Sequence, residues 1–486
     1  MTVTDTHVAR LREAIAGFTV DAVHGVLGDE AWRALARSET VPGLRATADG
    51  SSLSTLIRLF QLQAPVPRSA AEAAFGPAWT AAQALGLVTV DGDEARALLD
   101  LRPYGDEEHD WWVVCDLTPG LDGRENPRDP LYVLGISEAS SSLAQLTVRP
   151  QVGRALDLGT GCGVQALHLT GHARDVVATD VNPRAVELAA LTAALNGLDV
   201  DVRAGSLFEP VADERFDLIC TNPPFVVSPP EGDRLVYRET GFPGDEVVRR
   251  IVMGADRHLN DGGWCQLLAA WIHEDGVPWQ ERLAAWIEPT GLDAWVVQRE
   301  RVDLPEYAEM WLADAGLRHA PGHVERYDRW LSWFAEQGTE AMGFGWITLR
   351  KAGRDLPQVR IEEWTAPVAQ PVGADFLAWA GRADALASGD LLAHRWRLGT
   401  DVLQETAGPV GAEDPALIRV LRTGGLRPSR QVDTIEAGLL SACDGDLTAG
   451  QILDALAQIL DRDPRELRQV YTPVVAQLVA DGFLVD

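Results

Sequence analysis

The sequence predicts an α/β protein built on a doubly wound, mostly parallel sheet, and three features carry that prediction. The first is an apolar stretch, 154–158, running into Asp157-Leu158-Gly159-Thr160-Gly161-Cys162-Gly163. A buried strand there meets glycines that let the backbone turn tightly before a helix over 164–169. The second is another apolar run, 175–179, which ends in Asp180 about 20 residues beyond the glycines. The third is the run 216–220 followed by Asn222-Pro223-Pro224-Phe225. An Asn, two prolines and an aromatic form a rigid ledge at the carboxyl end of a buried strand, the edge at which open α/β sheets bind ligands.

Each element around these features has its own signal. Asp180 is placed to accept hydrogen bonds from the two hydroxyls of a ribose, and Asn182 and Pro183 close the turn into a helix over 184–196. The spacing Gly159-x-Gly161-x-Gly163 puts Val164 where a dinucleotide fingerprint needs Gly or Ala, which argues against a pyrophosphate cofactor. Asp157 reads equally as a cofactor contact or as a cap for the turn amides. Cys162 reads as a small apolar filler, because no His lies nearby in sequence to activate it. Beyond the ledge, a Gly-bounded loop at 237–245 reads equally as a lid or a passive connection. A helix at 246–258 and strands at 263–268, 293–298 and 344–349 follow, and helical, tryptophan-rich sequence is inserted between the last two.

The flanks differ from this pattern. Residues 8–84 have helical periodicity and are followed by 86–90 and 97–101, a small β-wing. A strand at 111–115 leads into a Gly/Pro/Asp-rich connector, 119–130. Toward the other end, 435–443, 448–460 and 464–480 read as helices, with capping signals at Thr448 and Asp463, and 483–485 as a closing strand. The expected organisation is a helical, winged-helix-like substrate-recognition domain at 1–118, a catalytic domain at 131–370 with a helical insertion near 304–338, and a winged-helix-like domain at 372–486.

Composition bounds the partners. At 486 residues the chain is long enough for about three domains. Five cysteines without a C-x-x-C pair argue against a disulfide framework or a zinc site, so no metal is expected and a reducing cytoplasm is the natural compartment. The polar residues 1–10 carry no signal segment, and no apolar run is long enough for a membrane span. A net charge of -30 and a single lysine, Lys351, disfavour a phosphate backbone and tilt the reading toward a protein substrate. Arg395, Arg397, Arg419, Arg422, Arg427 and Arg430 form local basic clusters, read first as a solvated face or as ion pairs to the surplus carboxylates.

Over about 139–349 the sequence resembles the class I S-adenosylmethionine-dependent methyltransferases. Within them, Asn222-Pro223-Pro224-Phe225-Val226-Val227-Ser228-Pro229-Pro230 resembles the HemK-type glutamine amide methyltransferases. The resemblance implies a Rossmann-like, seven-stranded methyltransferase sheet with S-adenosyl-L-methionine as cofactor. It implies cofactor-binding roles for Asp157, Gly159, Thr160, Gly161, Cys162, Gly163, Asp180, Asn182, Ser206, Leu207 and Asn222. Gly205-Ser206-Leu207 departs from the family, because many relatives carry an Asp where Ser206 stands; backbone groups would then hold the adenine.

The implied catalytic residues are Asn222, Pro223, Pro224 and Phe225. A planar nitrogen is a poor nucleophile because its lone pair is delocalised. The Asn222 side-chain oxygen and the Pro223 carbonyl would each accept one N–H and turn the lone pair toward the methyl group, while Phe225 would stack on the planar group. Such alignment can save on the order of 7–11 kcal/mol. The expected function is N-methylation of a protein glutamine side-chain amide. The alternative is methylation of an RNA or DNA base at an exocyclic amine, guanine N2 or adenine N6; a non-catalytic, cofactor-binding regulatory protein is a third reading.

Overall fold

The computed structural model describes residues 5–121, 129–230, 238–239, 241–318, 320–387, 389–411 and 415–486. The connector 119–130 and the loop 237–245 therefore lie partly outside the described residues, as does the start of the 1–10 segment. The chain divides into two compact units, Met1–Ala144 with Gln151–Glu363, and Gln145–Pro150 with Trp364–Asp486.

The first unit is organised by a sheet of eight strands. They are β1 (Val152–Leu158), β2 (Ala173–Asp180), β3 (Val200–Ala204), β4 (Phe216–Thr221), β5 (Leu259–Glu274), β6 (Asp293–Asp303), β7 (Thr339–Arg350) and β8 (Val359–Glu363). Their spatial order is β8-β6-β7-β5-β4-β1-β2-β3. β7 runs antiparallel to both neighbours, and the other pairings are parallel. The α/β class and the Rossmann-like arrangement are as expected, with one addition. The seven-stranded expectation lacked β8, which pairs in parallel with β6 through Ala294↔Val359 to Gln298↔Glu363 and covers an edge that would otherwise expose unpaired backbone groups.

Helices cover both faces. On one side lie α1 (Val164–Thr170) and α2 (Pro183–Asn196). On the other lie α3 (Glu246–His258) and α4 (Trp279–Ile287), whose Val248, Ile251, Val252, Leu283 and Ile287 share a core with Leu156, Phe216, Ile219, Leu267 and Val296 of the sheet. In α3 the buried positions Val247, Val248, Ile251, Val252 and Ala255 fall on one helical face, as the 3.6-residue period requires. α2 starts at the Asn182 cap with Pro183 in its first turn and stops at Gly197, φ +68°.

The N-terminal residues have no core of their own. Leu11, Ile15, Phe18, Phe60 and Phe75 belong to one continuous cluster with Val164, Leu167, Leu188, Leu191 and Leu195 of α1 and α2. Arg12 donates to the carbonyls of Ala194 and Leu195, and the Asn196 amide brackets Trp112, accepting from its N–H at 2.9 Å and donating to its carbonyl at 2.8 Å. A three-stranded antiparallel sheet, order Val66–Pro67, Glu94–Ala97, Val88–Asp91, accompanies these helices. The wing differs from the expected pairing in one respect. Val88–Asp91 pairs with Glu94–Ala97 across Gly92, φ +58°, whereas Asp100–Gly105 leaves to pair with Asp110–Cys115.

In the second unit the helices Thr434–Ala442, Ala449–Ile459 and Pro464–Ala480 stand close to their expected bounds, and Leu484–Val485 pairs with Arg397–Leu398. Thr448 and Gln451 form a full capping box, and Asp463 accepts from the Arg465 and Glu466 amides. A three-stranded antiparallel sheet, Val402–Ala407, Leu417–Arg422 and Ser429–Val432, stands beside them. It presents no unpaired basic row. Arg419 pairs with Glu405, Arg422 with Asp401 and Asp375, and Arg430 with Glu436.

Candidate active site

A cavity of about 560 Å³ opens at the carboxyl ends of β1, β2 and β4, where Leu158, Thr179, Asp180 and Thr221 end their strands. That is the point at which the strand order reverses between β1 and β4 and the following helices leave on opposite faces, so a cleft is built into the topology. Gly159, Thr160, Gly161, Cys162, Asp180, Asn182, Ser206, Leu207, Asn222, Pro223 and Pro224 all line it. Asp157, Gly163 and Phe225 do not appear among the lining residues.

The turn after β1 explains the glycines. Gly159, Gly161 and Gly163 have φ of +76°, +57° and +91°, a left-handed backbone that costs other residues roughly 1–2 kcal/mol each. The Gly159 and Thr160 amides donate to the Thr179 carbonyl at 2.8 and 2.9 Å, tying the turn to the end of β2. Asp157 sits beneath it, fully buried. One carboxylate oxygen accepts from the Thr160 hydroxyl at 2.6 Å and from the Ala166 amide at 2.9 Å, supplying the cap that Gly163 cannot give α1. Through these two bonds it holds the turn. Burial pushes the Asp157 carboxyl up to about 7, which outweighs both hydrogen bonds.

Asp180 is locked into the same turn. One carboxylate oxygen accepts from the Gly161 amide at 2.9 Å and the other from the Asn182 amide at 2.8 Å. Burial raises its pKa above the usual carboxylate value and the two amides work against that rise. A carboxylate retains acceptor positions beyond two such bonds, so it can still take ribose hydroxyls in a fixed orientation. Asn182 is spent on structure as well as on the wall: its oxygen caps Arg184 at 3.0 Å and its nitrogen donates to the Leu131 carbonyl at 2.9 Å. Cys162 is buried, and desolvation pushes its thiol up to about 12, so it remains a protonated filler.

The ledge follows β4. Asn222 is half-buried, yet its side-chain oxygen is completely enclosed and has no hydrogen-bond partner. Unpaired buried acceptors cost on the order of 1–3 kcal/mol, and such a defect in a cavity wall fits a group waiting for a ligand donor. Phe225, expected to stack on the substrate, is not among the residues that line the cavity. It packs edge-on against Phe344, with ring centroids 6.3 Å apart, and joins the hydrophobic clusters behind the ledge. The next amides are held from behind: Val226 donates to the Arg238 carbonyl at 2.9 Å, and Val227 to the buried Tyr307 hydroxyl at 2.8 Å. Tyr307 belongs to α5 (Leu304–Asp314), so the helical insertion braces the ledge.

Several wall residues carried no strong sequence signal. Tyr132, Val133, Leu134, Gly135, Ser137 and Ser140 line the cavity from the segment before β1. They are fixed by the Asn182 bond to Leu131, by Asp116, which accepts from the Val133 amide and pairs with Arg184, and by Gln165, which donates to the Ser140 carbonyl at 2.7 Å. The one available hint was local: Ser137 and Ser140 bond each other's backbone, a turn signature preceding a helix. From the loop 237–245, Glu239, Gly241 and Phe242 also line the cavity.

The glycine turn, the clamped carboxylate and the orphan acceptor suit S-adenosyl-L-methionine: backbone groups would take the amino-acid part and Asp180 the ribose, and Ser206 with Leu207, φ +47°, would be left for the adenine. No group of three or more His, Cys, Asp or Glu side chains suited to a metal ion occurs among the described residues, and no described helix is long and apolar enough to cross a membrane.

The family model described as methyltransferase small domain matches residues 135–274, and two models described only as domains of unknown function match 15–98 and 377–486. A ribosomal RNA small subunit methyltransferase C of Salmonella arizonae is 33% identical over 36% of this chain and 46% of its own length. A release factor glutamine methyltransferase of Geobacter sulfurreducens is 33% identical over 30% and 62%, and a ribosomal protein uL3 glutamine methyltransferase of Bradyrhizobium diazoefficiens 39% identical over 26% and 44%. The chain thus spans about half the length of the curated relatives it matches. A solved T. thermophilus 16S rRNA methyltransferase in complex with AdoMet and guanosine aligns over 53% of this chain and 68% of that one, at 17% identity and a TM-score of 0.28. Residues 135–274, which include the glycine turn, the Asp180 clamp and the Asn-Pro-Pro-Phe ledge, are a methyltransferase small domain of the class I S-adenosylmethionine-dependent methyltransferases.

Proposed function

We propose that this protein is an S-adenosylmethionine-dependent N-methyltransferase acting on the side-chain amide of a protein glutamine. The observation that carries the reading is the enclosed, unpartnered Asn222 oxygen on the Pro223-Pro224 ledge of the cavity. The cofactor supplies an electrophilic methyl group on a sulfonium. Asn222 and the Pro223 carbonyl each accept an N–H of the substrate nitrogen and point its lone pair into the cleft. The nitrogen becomes acidic as it is alkylated and loses its proton to solvent, so no basic side chain is needed. Asp180 and the glycine turn hold the cofactor, and Asp157 holds the turn.

A protein substrate is supported by charge. The cavity wall has no Lys, Arg or His among its described residues, the chain carries a net charge of -30, and the arginines at 419, 422 and 430 are already ion-paired. That wall and those three arginines would do little to neutralise a phosphate backbone. The five buried free thiols fit a reducing cytoplasm. The relatives named as ribosomal RNA methyltransferases favour the second reading, an exocyclic base amine on the same ledge.

The test is transfer of labelled methyl groups from S-adenosylmethionine into lysate of a deletion strain, divided by protease and nuclease digestion, with Asn222→Ala as control. Protease-sensitive label missing from the variant reaction supports the glutamine reading. Nuclease-sensitive label moves the assignment to a base. Absence of label in both fractions, with the cofactor bound, refutes both.

A further inference from the structure

Among the described residues, the charged side chains lining the cavity are Asp180 and Glu239. Asp180 is committed to the glycine turn. Glu239 has no part in the cofactor cradle described above, yet its side chain is only 7% exposed and it shares the cavity with Asn222, Pro223 and Pro224.

Two features fix it there. The backbone of the preceding residue is tied to the ledge, because the Val226 amide, directly after Phe225, donates to the Arg238 carbonyl at 2.9 Å. The Arg238 side chain, equally buried, then holds the carboxylate at 2.9 Å while gripping Asp314 at 2.8 Å and the Trp311 carbonyl at 2.9 Å. One buried cation thus serves two carboxylates, and the pair with Glu239 fixes that side chain at the cavity wall. Keeping a buried ion pair costs desolvation that apolar packing would avoid, so its presence beside a reactive ledge points to positioning. A carboxylate offers about four acceptor positions, which lets it serve Arg238 and a ligand donor together.

We propose that Glu239 is a specificity-determining residue, its carboxylate accepting a main-chain N–H of the glutamine-bearing segment whose side-chain amide lies on the Asn222 ledge. The inference rests on the N-methyltransferase reading above. It makes the substrate half of the cavity an acceptor surface throughout, matched to an uncharged peptide rich in N–H donors and opposed to a strand that brings phosphates.

The experiment uses the full chain, a synthetic library of heptapeptides with central glutamine, guanosine-bearing oligoribonucleotides, tritiated S-adenosylmethionine, and calorimetric titration of the cofactor. Glu239→Ala is expected to lower kcat/KM on peptides by about tenfold or more, through KM, the size of one lost charge-assisted hydrogen bond. Cofactor Kd should stay within about twofold of wild type. Glu239→Gln, which keeps an acceptor, should recover part of the loss. Replacing the glutamine main-chain N–H by an ester oxygen should slow the wild type and leave Glu239→Ala indifferent. Asp314 still pairs Arg238 in these variants, so unchanged thermal midpoints will show that folding is intact. Peptide labelling with an unaltered KM in Glu239→Ala overturns the inference alone, as does a parallel loss of cofactor affinity, which would assign Glu239 to the cofactor. Label confined to the oligoribonucleotides overturns the peptide assignment. A wild type that binds cofactor and labels neither probe overturns the N-methyltransferase reading and the inference with it.

Discussion

Asp157 makes the structure open to a sharp test, because it is a buried acid whose job is to hold a turn. Burial raises its folded-state value to about 7 from the ordinary 3.8, against the opposing pull of Thr160 and Ala166. In the unfolded chain it releases its proton near 3.8. Between those values the folded protein binds an extra proton, so stability must fall as pH rises. The contribution is fully present below the lower value and lost as pH passes through the upper one. About three pH units at about 1.4 kcal/mol each give on the order of 4 kcal/mol, an upper bound because the turn can open and admit water. Asp157→Asn keeps the shape and one acceptor but cannot titrate. The thermal midpoint of wild type minus that of Asp157→Asn should therefore decline as pH is raised from about 5 to about 8, by several degrees. Scanning both proteins side by side across that range cancels every other titrating group. A difference that is flat, or that grows with pH, would refute the buried neutral acid and with it the account of how the turn is held.

Three further outcomes follow from the same geometry. Asn222→Ala should lower turnover by about 100-fold or more while cofactor Kd stays nearly unchanged, whereas Asp180→Ala should weaken cofactor binding by about tenfold or more; equal losses of cofactor affinity in the two variants would contradict the assigned roles. Tyr307→Phe leaves the Val227 amide without its acceptor, and we expect a cost of about 1–3 kcal/mol and a fall in kcat with cofactor Kd retained, read by thermal scanning and steady-state kinetics. In the second unit, Thr448→Ala removes one half of a capping box and should cost about 1 kcal/mol, seen as faster hydrogen exchange confined to Ala449–Ile459 and its neighbours.

What could be read from the sequence was whatever is local. Asn182 and Pro183 opening α2 and Thr448 opening a later helix are signals held within one turn, and each stands where it was expected. The glycine turn was legible because glycine adopts its three positive φ values without the strain other residues would carry. Elements defined by a distant partner were harder. The wing strand Glu94–Ala97 is polar and short, and it was displaced in the reading by the more apolar 97–101, although Asp91-Gly92-Asp93 marks the hairpin turn. β8 is an edge strand with one pairing partner, and its Val-Arg-Ile-Glu-Glu pattern resembles an exposed linker. β5 and β7 run well past their expected ends because they pair with each other out to Glu274↔Thr339.

The same limit applies to the site, and it decides which residues deserve substitution first. Asn222, Pro223 and Pro224 announce themselves because the chemistry lies in four consecutive residues. Their geometry is set elsewhere: Tyr307 lies 80 residues from the Val227 amide it receives, and Asp314 is 76 residues from the Arg238 it pairs. Phe225 shows the consequence. Sequence alone assigns an aromatic after two prolines to the substrate, but the hydrophobic clusters behind the ledge, joined by Phe344 and the insertion, supply a buried surface for its ring. Phe225 is partly buried there, which gains a share of the roughly 1.5–3 kcal/mol that full burial gives and that a solvent-facing ring would forgo. The ledge is therefore a two-part object, a motif that presents acceptors and an insertion that keeps them aimed. Substitutions behind it should disturb alignment and hence kcat, while Glu239 in front of it should disturb substrate capture and hence KM.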